Sequence, residues 1–301
     1  VKPPPFTYHA PRDLPAALRT LAEAGGKVLA GGQSLIPMLN MRLAAPEHLV
    51  DINRVAGLDG IEATPAGVTV GALARHADVE RAEVHPLLTR ALKLVAHPVI
   101  RNRGTVVGSL VHADPAAELP AVLAVLGGSV RVARWDGRVV VREVPAEEFF
   151  VGPMESAVGP GELAVSAFFP ALGEGAGIAF EEVARRHGDY ALAGVCAVVT
   201  PDGARVACIG VGARPVVVDL DMDLYQNPDE GSGGGSARAL DGDGASDAGG
   251  RRRAAAALVQ DATAPEGDIH ASAAYRRHLV GVLAERALRN AAREGAAARG
   301  A

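Results

Sequence analysis

The chain has 301 residues, 49% of them hydrophobic and 22% charged, with a formal net charge of −5. That is about two domains' worth of polypeptide with ample apolar material for a core, which excludes a disordered or fibrous chain, and the negative balance argues against a nucleic-acid partner. Two cysteines, Cys196 and Cys208, lack CxxC spacing: they exclude a disulfide framework and leave the chain without ligands for an iron–sulfur cluster or a structural zinc.

Along the chain, Asp13 is placed to cap a helix whose Leu14, Ala17, Leu18 and Leu21 keep a helical period, with Gly25-Gly26 as its stop. A strand over 27–30, the turn Gly31-Gly32-Gln33-Ser34, a helix from Leu35 ending before Pro46 and a strand over 48–52 complete an α-β-turn-α-β opening. A hairpin over 61–64 and 68–73 follows, then helical patterns over 76–83 and 86–96. Residues 101–115 show little periodicity and much turn chemistry. A short helix ends at Gly127-Gly128, and strands over 130–135 and 139–144 alternate around Asp136-Gly137, a hairpin pattern. One more strand is expected over 162–169, with a small-residue loop over 170–177. The remainder reads as a smaller domain: a hairpin over 191–200 and 204–211, a third strand over 215–220, and helices over 252–262 and 272–294. Between them, 226–250 is rich in Gly, Ser and Asp and reads as a flexible loop. Arg251-Arg252-Arg253 reads as a solvated helix start. The two cysteines read as small core residues in neighbouring strands.

Thirty-six glycines are well above the roughly 7% of an average chain, so the question is where backbone must turn sharply or approach something. Two turns answer it. Gly31-Gly32-Gln33-Ser34-Leu35 lies between strand and helix, where unpaired N–H groups and the helix dipole favour an anion and the Ser34 hydroxyl adds a donor. Thr105 to Ser109 offers donors beside hydroxyls, followed by the polar His112, Asp114 and Glu118. An ordinary strand-to-helix turn and a long loop are the alternatives, but two such turns in one chain suit the two phosphates of a dinucleotide. Other chemistries lack their motifs: there is no Gly-x-Gly-x-x-Gly after a strand, no Walker-type Gly-Lys-Ser/Thr, no metal-ligand histidine spacing and no Gly-x-Ser-x-Gly elbow.

The run Leu29-Ala30-Gly31-Gly32-Gln33-Ser34-Leu35, then Val70-Gly71-Ala72-Leu73, Arg101-Asn102-Arg103-Gly104-Thr105, Gly108-Ser109 and Ala113-Asp114-Pro115-Ala116-Ala117-Glu118-Leu119-Pro120 resembles the FAD-binding medium subunit of molybdenum hydroxylases, the carbon monoxide dehydrogenase and xanthine dehydrogenase group. The resemblance continues through Phe149-Phe150-Val151-Gly152-Pro153, Arg185-Arg186-His187-Gly188-Asp189-Tyr190-Ala191, Asp268-Ile269-His270-Ala271-Ser272 and Tyr275-Arg276-Arg277, over nearly the whole chain. It implies an α+β protein: a two-subdomain FAD-binding fold of the PCMH (vanillyl-alcohol-oxidase-like) type over 1–175, divided as 1–55 and 56–175. A small C-terminal domain over 176–301 would carry a three-stranded antiparallel sheet, helices and the loop 226–250.

By the same resemblance, Leu29, Ala30, Gly31, Gly32, Gln33, Ser34 and Leu35 with Thr105, Val107, Gly108 and Ser109 would wrap the FAD pyrophosphate. Ser109 and His112 would lie near the phosphates or ribityl chain. Glu118, or Asp114 before it, would accept hydrogen bonds from ribityl or ribose hydroxyls, and Val158, Asp189 and Tyr190 would lie near the isoalloxazine. No catalytic side chain and no metal ligand is implied. The molybdenum cofactor would sit on a large partner and two [2Fe–2S] clusters on a small one, as a dimer of heterotrimers, with FAD passing electrons to a final acceptor. No signal-peptide apolar stretch follows Val1-Lys2-Pro3-Pro4-Pro5 and no apolar run reaches the roughly 18 residues of a membrane span, so a cytoplasmic location is expected.

The chain departs from the family where two glycines are usual: it has Val107-Gly108. A β-branched residue resists positive φ, so a reshaped turn or weaker FAD binding is expected there. Two other readings are a stand-alone FAD oxidase or reductase of the same fold and a non-enzymatic α/β binding module.

Overall fold

The computed structural model describes residues 1–221 and 244–300, with the side chains of its penultimate helix from Gly250 onward. The chain divides into two compact units, Val1–Ala171 with Arg186–Tyr190, and Leu172–Arg185 with Ala191–Ala301. Residues 186–190 thus belong to the first unit, where a single cut after 175 was expected.

The first unit opens with β1 (Thr7–His9), α1 (Leu14–Ala24), β2 (Lys27–Leu29), α2 (Leu35–Asn40) and β3 (His48–Asp51). The strands form a parallel sheet in the order β1-β3-β2. Asp13 caps α1, its carboxylate accepting the Ala16 N–H at 2.8 Å, and Gly25 ends it at φ +70°. Ala17, Leu18 and Leu21 turn inward as their spacing dictates. α2 stops at Asn40, well short of Pro46.

There follow β4 (Ile61–Thr64), β5 (Gly67–Gly71), α3 (His76–Ala82), α4 (Pro86–Leu92), α5 (Pro98–Arg101), α6 (Val106–His112), α7 (Glu118–Leu126), β6 (Ser129–Trp135), β7 (Val139–Pro145), α8 (Ala146–Phe149), β8 (Phe150–Gly152), β9 (Glu155–Ser156) and β10 (Glu162–Pro170). A five-stranded antiparallel sheet runs β4-β5-β10-β6-β7, with β10 paired to β5 on one edge and β6 on the other. Leu119 to Val125 of α7 are buried with Leu87, Leu88, Ala91 and Leu92 of α4, and this pair of apolar helices supplies much of the core. The segment expected to be aperiodic, 101–115, contains the end of α5 and the whole of α6. Thr105 caps α6, and burial of Val106, Val107 and Leu110 holds a sequence of poor helix propensity in helical form.

In the second unit, β11 (Gly177–Ala184), β12 (Ala191–Thr200), β13 (Gly203–Ile209) and β14 (Val216–Asp221) form an antiparallel sheet in chain order, and α9 (Gly244–Asp261) and α10 (Ala273–Arg299) pack together, with α10 on β11 and β12. The sheet therefore has four strands among the described residues, not three. β11 shows no apolar–polar alternation because Gly177, Ile178, Ala179 and Phe180 are all buried. A Cβ on Gly177 would overlap the Ala291 carbonyl of α10, so strand and helix backbones touch there. Cys196 and Cys208 are both buried, on the adjacent strands β12 and β13. Arg276 of α10 is buried and donates to the Leu192 and Gly210 carbonyls at 2.5 and 3.1 Å and to Asp268 at 2.7 Å. Of the loop expected over 226–250, residues 226–243 lie outside the described residues, while those from Gly244 are helical. Ala255, Ala256 and Val259 anchor α9 in the core, and cooperative propagation carries the helix back through Arg251, Arg252 and Arg253, which are mid-helix rather than its start.

Candidate functional site

The turn at 31–34 leaves β2 and enters α2. Gly32 has φ +76°, a left-handed step open to glycine and costly for other residues. Gly31 is needed for a different reason: a Cβ there would overlap the Arg103 carbonyl, so the first turn packs directly on the segment that leads into the second. The Ser34 side chain makes no capping bond. Among the described residues, the backbone N–H groups of Gly31, Gly32, Gln33, Ser34 and Leu35 have no acceptor within the protein. These are the donors a strand-to-helix turn leaves over.

The second turn is built differently. Thr105 is the N-cap of α6, its hydroxyl accepting the Gly108 N–H at 3.1 Å. A Cβ on Gly108 would overlap that hydroxyl, so glycine here serves the cap. Val107 lies inside α6 without a positive φ and is buried, so the steric conflict expected from Val107-Gly108 does not arise. The N–H groups of Thr105 and Val107 are left without an acceptor among the described residues.

Two arginines brace this region. Arg75 donates from Nη1 to the Arg103 carbonyl and from Nη2 to Asn53 Oδ1, both at 2.6 Å, and Asn53 Nδ2 donates to the Ala30 carbonyl at 2.9 Å. Asp51 steadies Asn53 through its side-chain and backbone N–H groups at 2.6 and 2.8 Å, and accepts the Tyr8 hydroxyl at 2.5 Å. Arg101 pairs with Glu80 at 2.8 Å and donates to the Val95 and Ala96 carbonyls at 3.0 and 3.2 Å.

A cavity of about 460 Å³ opens over both turns, within the usual range of small-molecule sites. Ala30, Gly31, Gly32, Gln33, Ser34, Leu35, Thr105, Val107, Gly108, Ser109, His112, Glu118, Val158, Asp189 and Tyr190 all line it. Leu29 and Asp114 do not. Leu29 lies behind the turn, its Cδ1 facing Gly32, and Asp114 accepts the Ala116 N–H at 2.8 Å to shape the approach to α7. Asp189 and Tyr190 reach the cavity because Gly188, at φ +84°, leaves no side chain to collide with the His97 ring.

A tyrosine and two histidines at the cavity are held in their neutral forms. Burial, reinforced by the Asp114 and Glu118 carboxylates and opposed by a hydrogen bond with Ser34, pushes the Tyr190 hydroxyl up to about 12. The residue is 55% exposed, and with its pKa raised the hydroxyl stays protonated and neutral. Burial lowers the His112 pKa against the pull of Asp114. His76, which packs against Gly104, is lowered to about 4 by burial; the Thr105 carbonyl faces its ring without a well-formed hydrogen bond. Sequence reasoning did not find His76, Arg75, Asn53 or the apolar wall of Met38, Val95, Ala96 and Ile100. Arg75 and Asn53 each donate to one main-chain oxygen distant in sequence, a contact that leaves no motif; the wall is ordinary apolar sequence.

Two turns with unmatched backbone donors, packed together where Gly31 meets the Arg103 carbonyl, and neutral hydroxyl and imidazole groups around a largely apolar cavity fit a dinucleotide with an aromatic end. The comparisons agree. The family described as the FAD binding domain in molybdopterin dehydrogenase matches residues 4–172. The chain belongs to that family: it is a FAD-binding medium subunit of the molybdenum-hydroxylase type, a component of oxidoreductases. Among particular proteins, it is 38% identical to the 6-hydroxypseudooxynicotine dehydrogenase complex subunit alpha of Paenarthrobacter nicotinovorans, over 97% of this chain and 96% of that one. It is 37% identical to the carbon monoxide dehydrogenase medium chain of Hydrogenophaga pseudoflava, over 71% of this chain and 76% of that one. The solved structure of quinoline 2-oxidoreductase from Pseudomonas putida 86 superposes with a TM-score of 0.83 at 32% identity, over 98% of this chain and 99% of that chain. Among the described residues, no helix is long and apolar enough to cross a membrane.

Proposed function

We propose that this chain is the electron-transfer subunit of a cytoplasmic molybdenum hydroxylase, its FAD standing between [2Fe–2S] clusters on a small partner and a terminal acceptor. Substrate is oxidised at a molybdenum cofactor on a large partner, and the assembly is a dimer of heterotrimers. Bound FAD supplies a centre that takes up and releases electrons. The chain's own residues bind and orient it. The N–H groups of Gly31 to Leu35 and of Thr105 and Val107 hold the pyrophosphate, with Ser109 and His112 beside it. Glu118 accepts from ribityl or ribose hydroxyls, and Val158, Asp189 and the neutral Tyr190 hydroxyl border the isoalloxazine.

One observation carries this reading: two turns distant in sequence pack on each other, both line one cavity, and both carry backbone donors without an acceptor among the described residues. The relatives differ in the substrate their names carry, which fits a substrate choice made on another chain. Neither cysteine lines the cavity, which removes attachment of the flavin through a thiol. The test is to purify the chain with the chains that accompany it. A visible flavin band that bleaches on addition of reductant, with the flavin released into the supernatant on acid precipitation, is expected. A chain colourless after incubation with FAD, or flavin retained in the acid pellet, overturns the reading.

A further inference from the structure

We propose that Arg75 is a positioning residue that fixes the spacing of the two turns, and that it does so through its forked geometry rather than its charge. The inference rests on the reading of the cavity as the FAD site. Arg75 follows β5 at the N-cap of α3, where its backbone bridges Thr105 of the second turn. Its side chain then reaches the carbonyl of Arg103 with one nitrogen and, with the other, the Asn53 amide that holds the carbonyl of Ala30. One guanidinium therefore ties the residue before the first turn to the residue leading into the second. Both acceptors are neutral oxygens at 2.6 Å, and among the described residues Arg75 has no ion pair.

The arrangement matters because Arg103 O is the atom on which Gly31 packs. If that carbonyl shifts, Gly31 shifts with it and the two donor arrays lose register. A ligand that engages both arrays at once depends on their separation, whereas a ligand that engages one depends on it far less. Lysine keeps a positive charge but presents a single point donor that cannot span two acceptors in the plane of a fork. Asn53 is the second half of the same device, and Asp51 and Tyr8 hold it from behind.

The test compares FAD, which has two phosphates, with FMN, which has one, in the full chain with its accompanying chains after flavin removal. Arg75→Lys is expected to weaken FAD about tenfold, the loss of one charge-assisted hydrogen bond, and to change FMN by less than about twofold. Asn53→Ala is expected to do the same, and the double variant to be scarcely weaker than either alone, because both break one link. The thermal midpoint of the flavin-free protein separates this from general loosening. Equal weakening of FAD and FMN alongside a falling midpoint makes Arg75 merely structural and overturns the proposal. So does a Lys variant that binds FAD like the wild type while Arg75→Ala does not, since charge would then suffice. A wild-type chain that binds no flavin overturns the site reading itself, a result distinct from either.

Discussion

The turn at 31–34 is made by removing side chains, whereas the turn at 105–109 is made by capping a helix. In the first, Gly32 takes a left-handed step and Gly31 accepts a neighbouring carbonyl at its Cα, so five successive N–H groups stay unmatched. In the second, Thr105 closes on Gly108 and a valine fills the position where a glycine was expected, leaving Thr105 and Val107 as the unmatched donors. Both arrive at the same cavity wall. What they share is an excess of backbone donors over acceptors, and glycine is only one way of producing it.

That contrast can be broken or sharpened by experiment. The largest effect is expected from Gly32→Val, which forces a β-branched residue to positive φ in the turn that has no cap to hold it. FAD binding should weaken about a hundredfold with the far-ultraviolet circular dichroism unchanged, and wild-type affinity would show that the first turn does not depend on this step.

The second turn should be the acid-sensitive one, because His76 lies against it with a folded pKa of about 4 against 6.5 in the unfolded chain. Between those values the unfolded state takes up a proton the folded state refuses. The stabilising contribution is complete above pH 6.5 and is lost as pH falls through about 4, by on the order of 2 to 3 kcal/mol. Urea unfolding at pH 7 and pH 4.5 should show that loss in the wild type and much less of it in His76→Leu; equal losses in both would detach the acid sensitivity from this histidine.

Thr105→Val removes the cap while keeping the shape, and should cost about 1 kcal/mol in stability and a few-fold in FAD affinity. The smallest effect on FAD is expected from Val107→Gly, which supplies the usual pair of glycines. Emptying the place of a buried valine should destabilise the fold by about 2 to 4 kcal/mol without tightening FAD, as read by denaturant midpoint and flavin titration. A tighter variant would mean that the valine does impair the turn.

Much of the fold was legible because local chemistry and tertiary structure agree. Asp13 and Gly25 bound α1 as capping rules require, and Asp136-Gly137 makes the β6–β7 hairpin with Gly137 at φ +67°. What was missed follows from burial on more than one side. β11 hides because its first four residues are all interior, and α6 hides because Val106, Val107 and Gly108 favour other conformations until the Thr105 cap and the packing of Leu110 decide the matter. Of the cavity lining, motif residues such as Gly31, Ser34 and Glu118 could be picked out from sequence. Asp114 could not be separated from Glu118, since only the folded structure shows that Glu118 lines the cavity while Asp114, which accepts the Ala116 N–H, does not. Arg75 gave no sign in sequence because one partner is a backbone oxygen of a residue 28 positions away.

The unmatched amides of 31–35 also set a kinetic fingerprint. Having no internal acceptor, they can trade their hydrogens for deuterium without any prior opening of the fold, while the helical amides of the buried α7 must wait for such an opening. A ligand that accepts from those amides converts a fast-exchanging stretch of a well-packed domain into a slow one, so occupancy of the cavity is written in the labelling rate of one peptide.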